Sequence, residues 1–133
     1  MSGSFFDTNV LMYLATDDRQ KADRVEQLLR VRGIISVQVL NEITNVSRRK
    51  YRFSWRDTFT TLSTVRSYLD VVPVTLEIHE SGLRLAERYG FSIYDSFIVA
   101  AALAAGCDTL WSEDMQHGML VDDRLRIANP FAA

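Results

Sequence analysis

Residues 94–114 read YDSFIVAAALAAGCDTLWSED: an apolar run, a glycine, a short β-prone run, then acids. The apolar part, residues 97–107, is too short to span a bilayer, which takes about 20 residues. It is the composition of a buried helix, predicted over 94–105 and closed by Gly106. Residues 109–111 then predict a strand. A helix delivering a strand in this way is part of a βαβ unit, which implies a parallel sheet.

The same alternation extends through the rest of the chain. Residues 4–6 predict a short strand ending at Asp7. Residues 9–14 and 18–32 predict helix, with Gly33 as the stop. A second strand is predicted at 34–36, and Ser36 is placed to cap a helix reaching about Lys50. That helix carries Val39, Leu40, Ile43 and Val46 at helical spacing. Ser54 caps a further helix to about Leu69. A strand follows at 71–74, a helix at 75–89 closed by Gly90, and a last strand at 125–128. The fold class is α/β.

The chain has 133 residues, which predicts one domain over 1–133. Its 47% apolar and 24% charged content excludes intrinsic disorder. A formal charge of -2 excludes nucleic-acid binding through bulk positive charge, but not through a local patch. The single cysteine, Cys107, excludes an internal disulfide and fits a cytoplasmic location. With His79 and His117 as its only histidines, the chain has no Cys-rich zinc site. The N-terminal MSGSFF has no basic region or long apolar stretch, so neither a secretory signal nor a membrane anchor is expected.

Acids fall where such a sheet places chemistry, at or just beyond the carboxyl ends of strands. Asp7 follows the first strand, Glu42 lies in the helix after the second, Asp95 opens the apolar helix, and Asp114 follows the 109–111 strand. Asp95 is the only charged side chain between Arg88 and Asp108. Asp95 and Asp7 also suit helix capping, and Glu42 flanks an apolar stripe as a solvent-edge residue would. Glu113 competes with Asp114 for the last position. Gathered together, such carboxylates repel one another, and a hard divalent cation, Mg²⁺ or Mn²⁺, would relieve that repulsion. A site of this kind serves metal-assisted phosphodiester hydrolysis. Thr8 and Ser112 either orient ligands of the site or bond their local turns.

The segments Phe5-Phe6-Asp7-Thr8-Asn9-Val10-Leu11, Val39-Leu40-Asn41-Glu42, Tyr94-Asp95-Ser96-Phe97-Ile98-Val99 and Leu110-Trp111-Ser112-Glu113-Asp114-Met115 together resemble the PIN-domain family. The likeness is greatest to the VapC-type toxins of toxin–antitoxin pairs, and the closing Arg126-Ile127-Ala128-Asn129-Pro130-Phe131 resembles the end of such a toxin. The resemblance implies a Rossmann-like parallel sheet with helices on both faces and a metal-dependent endoribonuclease. It maps the family's acidic quartet onto Asp7, Glu42, Asp95 and Asp114, choosing Asp114 over Glu113 by its spacing from Ser112. It maps hydroxyl positions onto Thr8 and Ser112. A homodimer and a cognate antitoxin that inserts a segment near the acidic groove are also implied.

Acids alone do not hold RNA. Residues 47–69 carry Arg48, Arg49, Lys50, Arg52, Arg56 and Arg66 against the single acid Asp57. Tyr51, Phe53, Trp55 and Phe59 interleave with them. Phosphate contact through Arg48, Arg49, Lys50 and Arg52 with base stacking would suit single-stranded RNA. At helical spacing, however, such aromatics more often pack in a core or dimer interface. Two other functions compete with the nuclease. One is a phosphotransferase with Asp7 as nucleophile, although Asn9 stands where a second Asp is often found and no lysine is evident among the acidic motifs. The other is a non-catalytic RNA- or partner-binding module.

Overall fold

Among the described residues, six strands, β1 (Ser4–Phe6), β2 (Gly33–Ser36), β3 (Leu69–Val72), β4 (Thr109–Trp111), β5 (Leu120–Val121) and β6 (Leu125–Ala128), form one sheet in the order β3-β2-β1-β4-β6-β5. The computed structural model describes residues 3–132. All pairings are parallel except β5 with β6. Successive side chains on a strand point to opposite faces. Phe5 and Phe6 are both fully buried, so both faces of the sheet are covered.

The covering helices are α1 (Thr8–Leu11), α2 (Arg19–Leu29), α3 (Val37–Arg49), α4 (Trp55–Tyr68), α5 (Leu76–Tyr89) and α6 (Ile93–Ala104). α6 is apolar nearly all round, as suits a helix buried along its middle turns. Ile98, Val99, Ala100, Ala101 and Ala102 are buried, and Gly82 of α5 leaves the space that the Phe97 ring fills. Gly90 ends α5 in the left-handed conformation, φ 78°, as its position predicts. No helix among the described residues is long and apolar enough to cross a membrane.

Several local expectations are corrected. Gly33 does not stop α2: Arg32 takes the left-handed turn at φ 54°, while Gly33 opens β2. A Cβ at Gly33 would stand 2.6 Å from Phe6 Cε1, so the glycine is there for close strand packing. The helix expected over 9–14 begins at Thr8 and tightens into a 3₁₀ turn, Met12–Ala15. β3 begins and ends two residues before the expected 71–74, because Leu69 turns into the core instead of ending α4. The short antiparallel β5 was not legible as a strand. Ser36 occupies the N-cap position of α3 but makes no capping bond, and its buried hydroxyl has no hydrogen-bond partner in the structure.

The sheet order contains one reversal. From β1 the chain steps outward through β2 and β3, then returns to β4 on the other side of β1. A crevice opens at the carboxyl ends of strands at such a switch point.

Candidate active site

Phe6 of β1 is in register with Trp111 of β4, so the next residues, Asp7 and Ser112, emerge side by side. The Asp7 N–H donates to the Trp111 carbonyl at 2.9 Å. Ser112 Oγ donates to Asp7 Oδ2 at 2.8 Å, and the Thr8 N–H donates to Oδ1 at 2.7 Å. Asp7 therefore caps α1 with one oxygen and joins the β1–β4 seam with the other. It is 4% exposed. Burial pushes its pKa up to about 7; the bonds from Ser112 and Thr8 oppose this, while Asp95 and Glu42 add to it.

Glu42 projects from α3 and both its oxygens are held. Thr8 Oγ1 donates to Oε1 at 2.9 Å, and Gln38 Nε2 donates to Oε2 at 2.7 Å. Gln38 was not evident from the motifs, although its place one turn before Glu42 puts it on the same helix face. Asp95 lies in the first turn of α6, half-buried, and the cap of that helix is Ser92, whose hydroxyl accepts the Asp95 N–H at 3.4 Å. The capping role open to Asp95 thus belongs to Ser92. Burial raises the Asp95 carboxyl above its ordinary value, Ser92 lowers it, and Asp114 raises it again.

Asp7, Glu42, Asp95 and Asp114 line one cleft of about 300 Å³, with Thr8, Asn9, Tyr13, Lys50, Tyr51 and Glu113 also in its wall. Glu113 is diverted by bonds to Tyr13 and Lys21. Asn9 links the two sides of the seam: its Oδ1 accepts the Glu113 N–H at 3.2 Å and its Nδ2 approaches Asp7 Oδ2 at 3.4 Å.

The model of the PIN domain matches residues 4–117. The chain belongs to the PIN-domain family.

Solved structures share this PIN fold along nearly their whole length. A toxin–antitoxin complex from Klebsiella pneumoniae is similar at 20% identity and TM-score 0.71, covering 98% of this chain and 99% of that one. DNA-bound VapBC from Salmonella typhimurium is similar at 17% identity and TM-score 0.73, over 98% and 99% of the two chains. VapC20 of Mycobacterium tuberculosis, a sarcin-ricin loop cleaving toxin, is similar at 17% identity and TM-score 0.67, over 84% of this chain and 91% of that one. No curated protein matches this chain.

In this PIN domain the basic segment divides. Arg48 Nη1 donates to the Phe53 carbonyl at 2.7 Å, and its guanidinium lies 4.3 Å from the centre of the Trp55 ring, so it is engaged in the turn between α3 and α4. Arg49 and Arg52 are exposed outside the cleft wall, and Arg52 takes φ 55° in that turn. Lys50 and Tyr51 reach the cleft itself. A lysine therefore does stand among the acids, brought there by the end of α3. Of the aromatics expected to pack, Tyr51 lies against the core, but Trp55 and Phe59 are 53% and 62% exposed and lean on each other at 5.8 Å.

The cleft's carboxylates and hydroxyls are hard oxygen donors, the kind that Mg²⁺ and Mn²⁺ prefer. Among the described residues, no three His, Cys, Asp or Glu side chains are already drawn to metal-binding spacing. Mg²⁺ sites commonly use one or two carboxylates and retained waters, so the donor set fits in kind without forming a closed cage.

Proposed function

We propose that this PIN domain, spanning residues 1–133, is a VapC-type toxin: an endoribonuclease that hydrolyses RNA phosphodiester bonds with Mg²⁺ or Mn²⁺. Asp7, Asp95 and Asp114 would hold the metal, and Glu42 completes the catalytic acids. The observation that carries this reading is the convergence of carboxylates from four separate segments on one cleft at the β1–β4 switch point. Similarity to toxin–antitoxin structures, one of them an RNA-loop-cleaving toxin, supports it.

When bound, such a cation supplies an activated water at neutral pH and offsets charge on the phosphate. The chain's own residues supply the geometry. Ser112 and the Thr8 amide fix both oxygens of Asp7. Thr8 Oγ1 and Gln38 fix both oxygens of Glu42, leaving its remaining lone pairs to take up a proton from a reacting water. Lys50 at the cleft wall meets a substrate phosphate, and Tyr51 beside it offers a ring for a base. Arg48, Arg49 and Arg52 extend the basic footprint outward. A cognate antitoxin and a second copy of the chain are the proposed partners.

The test is RNA cleavage by purified protein, with and without EDTA, alongside Asp7→Asn and Asp95→Asn. Cleavage that EDTA stops and either substitution abolishes supports the reading. Full activity in folded Asp7→Asn would overturn it.

A further inference from the structure

Glu113 is the immediate neighbour of Asp114 and lines the same cleft, yet its carboxylate is claimed elsewhere. Tyr13 Oη donates to Oε1 at 2.5 Å, Lys21 Nζ donates to Oε2 at 2.6 Å, and Lys21 Nζ also donates to Tyr13 Oη at 3.1 Å. Three segments meet here: the 3₁₀ turn after α1, the first turn of α2, and the loop after β4. The ammonium group lies 4.7 Å from the centre of the Tyr13 ring and 4.9 Å from that of Phe131, so aromatic faces fix its position. Those two rings meet edge-on at 5.1 Å. The Glu113 backbone is pinned as well, through its N–H to Asn9 Oδ1. Glu113 is thus ion-paired with one lysine, at 2.6 Å.

We propose that Lys21 and Tyr13 are positioning residues, a lock that engages the Glu113 carboxylate at the cleft wall so that Asp114 is the acid of the adjacent pair available to a cation. The proposal rests on reading the cleft as a metal-dependent nuclease site. Without Lys21, Glu113 becomes a further carboxylate at the rim of an already acidic cleft. Its repulsion is then relieved by turning toward a bound cation. An added carboxylate would strengthen divalent-ion binding and would compete with the water that hydrolysis needs. Affinity and turnover should therefore move in opposite directions, which a purely structural contact would not do.

The experiment measures Mn²⁺ affinity by calorimetry and RNA cleavage on the full chain, for wild type, Lys21→Met, Tyr13→Phe, Glu113→Gln and the Lys21→Met/Glu113→Gln double variant. Lys21→Met should bind Mn²⁺ at least about 3-fold more tightly, since ligand charge count tunes affinity. It should cleave about 10-fold more slowly, the scale of outer-shell changes at metal sites. Removing the liberated acid in the double variant should bring both values back close to wild type. Tyr13→Phe keeps the ring packing while removing one donor; it should shift both values the same way by less, and it decides the matter if Lys21→Met fails to fold. Unchanged Mn²⁺ affinity in folded Lys21→Met and Tyr13→Phe, or a double variant as slow as Lys21→Met, overturns the lock alone. A wild-type protein that binds no Mn²⁺ and cuts no RNA overturns the nuclease reading and the lock with it.

Discussion

Ser112 Oγ donates a hydrogen bond to Asp7 Oδ2 at 2.8 Å, and the same Oγ accepts the Met115 N–H at 3.2 Å. One buried side chain thus couples the acid of β1 to the loop that carries Asp114. Ser112→Ala removes a bond that holds the Asp7 carboxyl down. The expected outcome is a loss of about 1 to 2 kcal/mol in stability, with the rising limb of the cleavage pH profile moved to higher pH. Thermal denaturation and a pH–rate series check both.

Asp7 sets a pH dependence of stability. Its folded pKa of about 7 lies above the ordinary 3.8, so between those values the folded state keeps a proton that the unfolded state has released. Stability therefore falls as pH rises from about 4 to about 7, by at most about 4 kcal/mol. Asp7→Asn should remove this slope, being more stable than wild type at pH 8 and much closer to it at pH 4, while abolishing cleavage. Saturating Mg²⁺ should restore wild-type stability at pH 8 through binding to the folded state. Denaturant unfolding at the two pH values, with and without Mg²⁺, measures the difference.

Thr8→Val and Gln38→Ala each release one oxygen of Glu42. Each is expected to lower cleavage by about 10-fold or more, the usual scale for groups that orient site ligands. Circular dichroism should show the fold retained. Activity within 2-fold of wild type in both, by the same about 10-fold yardstick, would remove Glu42 positioning from the account.

The basic segment predicts a split between neighbours. Lys50→Gln should weaken RNA binding and reduce its salt slope by about 0.7, the value for one phosphate contact on a single strand. Arg48→Gln should instead act mainly on stability, by about 1 kcal/mol, because it removes a turn bond and its Trp55 contact. Neutralising Arg48, Arg49 and Lys50 together should flatten the slope further. Binding titrations at several salt concentrations separate these effects.

Gly33→Ala should destabilise the fold by about 1 to 3 kcal/mol. The new methyl would meet Phe6 Cε1 at 2.6 Å and the Ser4 carbonyl oxygen at 2.9 Å, and a strand backbone yields little. A shift in the denaturant midpoint reads this directly.

The sequence carried the parallel α/β class because its helices and strands punctuate themselves. Gly90 and Gly106 mark real left-handed helix ends, and the apolarity of 97–107 marks a helix whose middle, Ile98 to Ala102, is buried. Gly33 misled because a glycine demanded by close strand packing looks the same in one dimension as one demanded by a turn. β5 is two residues long and owes its existence to an edge partner, so it has no pattern of its own. The candidate acids were legible by their places after strands, and the structure brings them to one cleft. Their supports were less so: Gln38 carries only the i, i+4 spacing to Glu42 along α3, while Lys21 and Tyr13 meet Glu113 across separate elements, and neither composition nor spacing encodes that meeting. The same holds for Arg48, legible as positive charge but not as a turn brace.

The bonded pair Asp7 and Ser112 stands 105 positions apart along the chain. A ribosome part-way through synthesis has already exposed Asp7 and Glu42, yet the strand that completes their surroundings is still unmade. On the proposed reading, a product that stops before β4 has neither the Ser112 that holds Asp7 nor Asp114, and so does not cleave RNA.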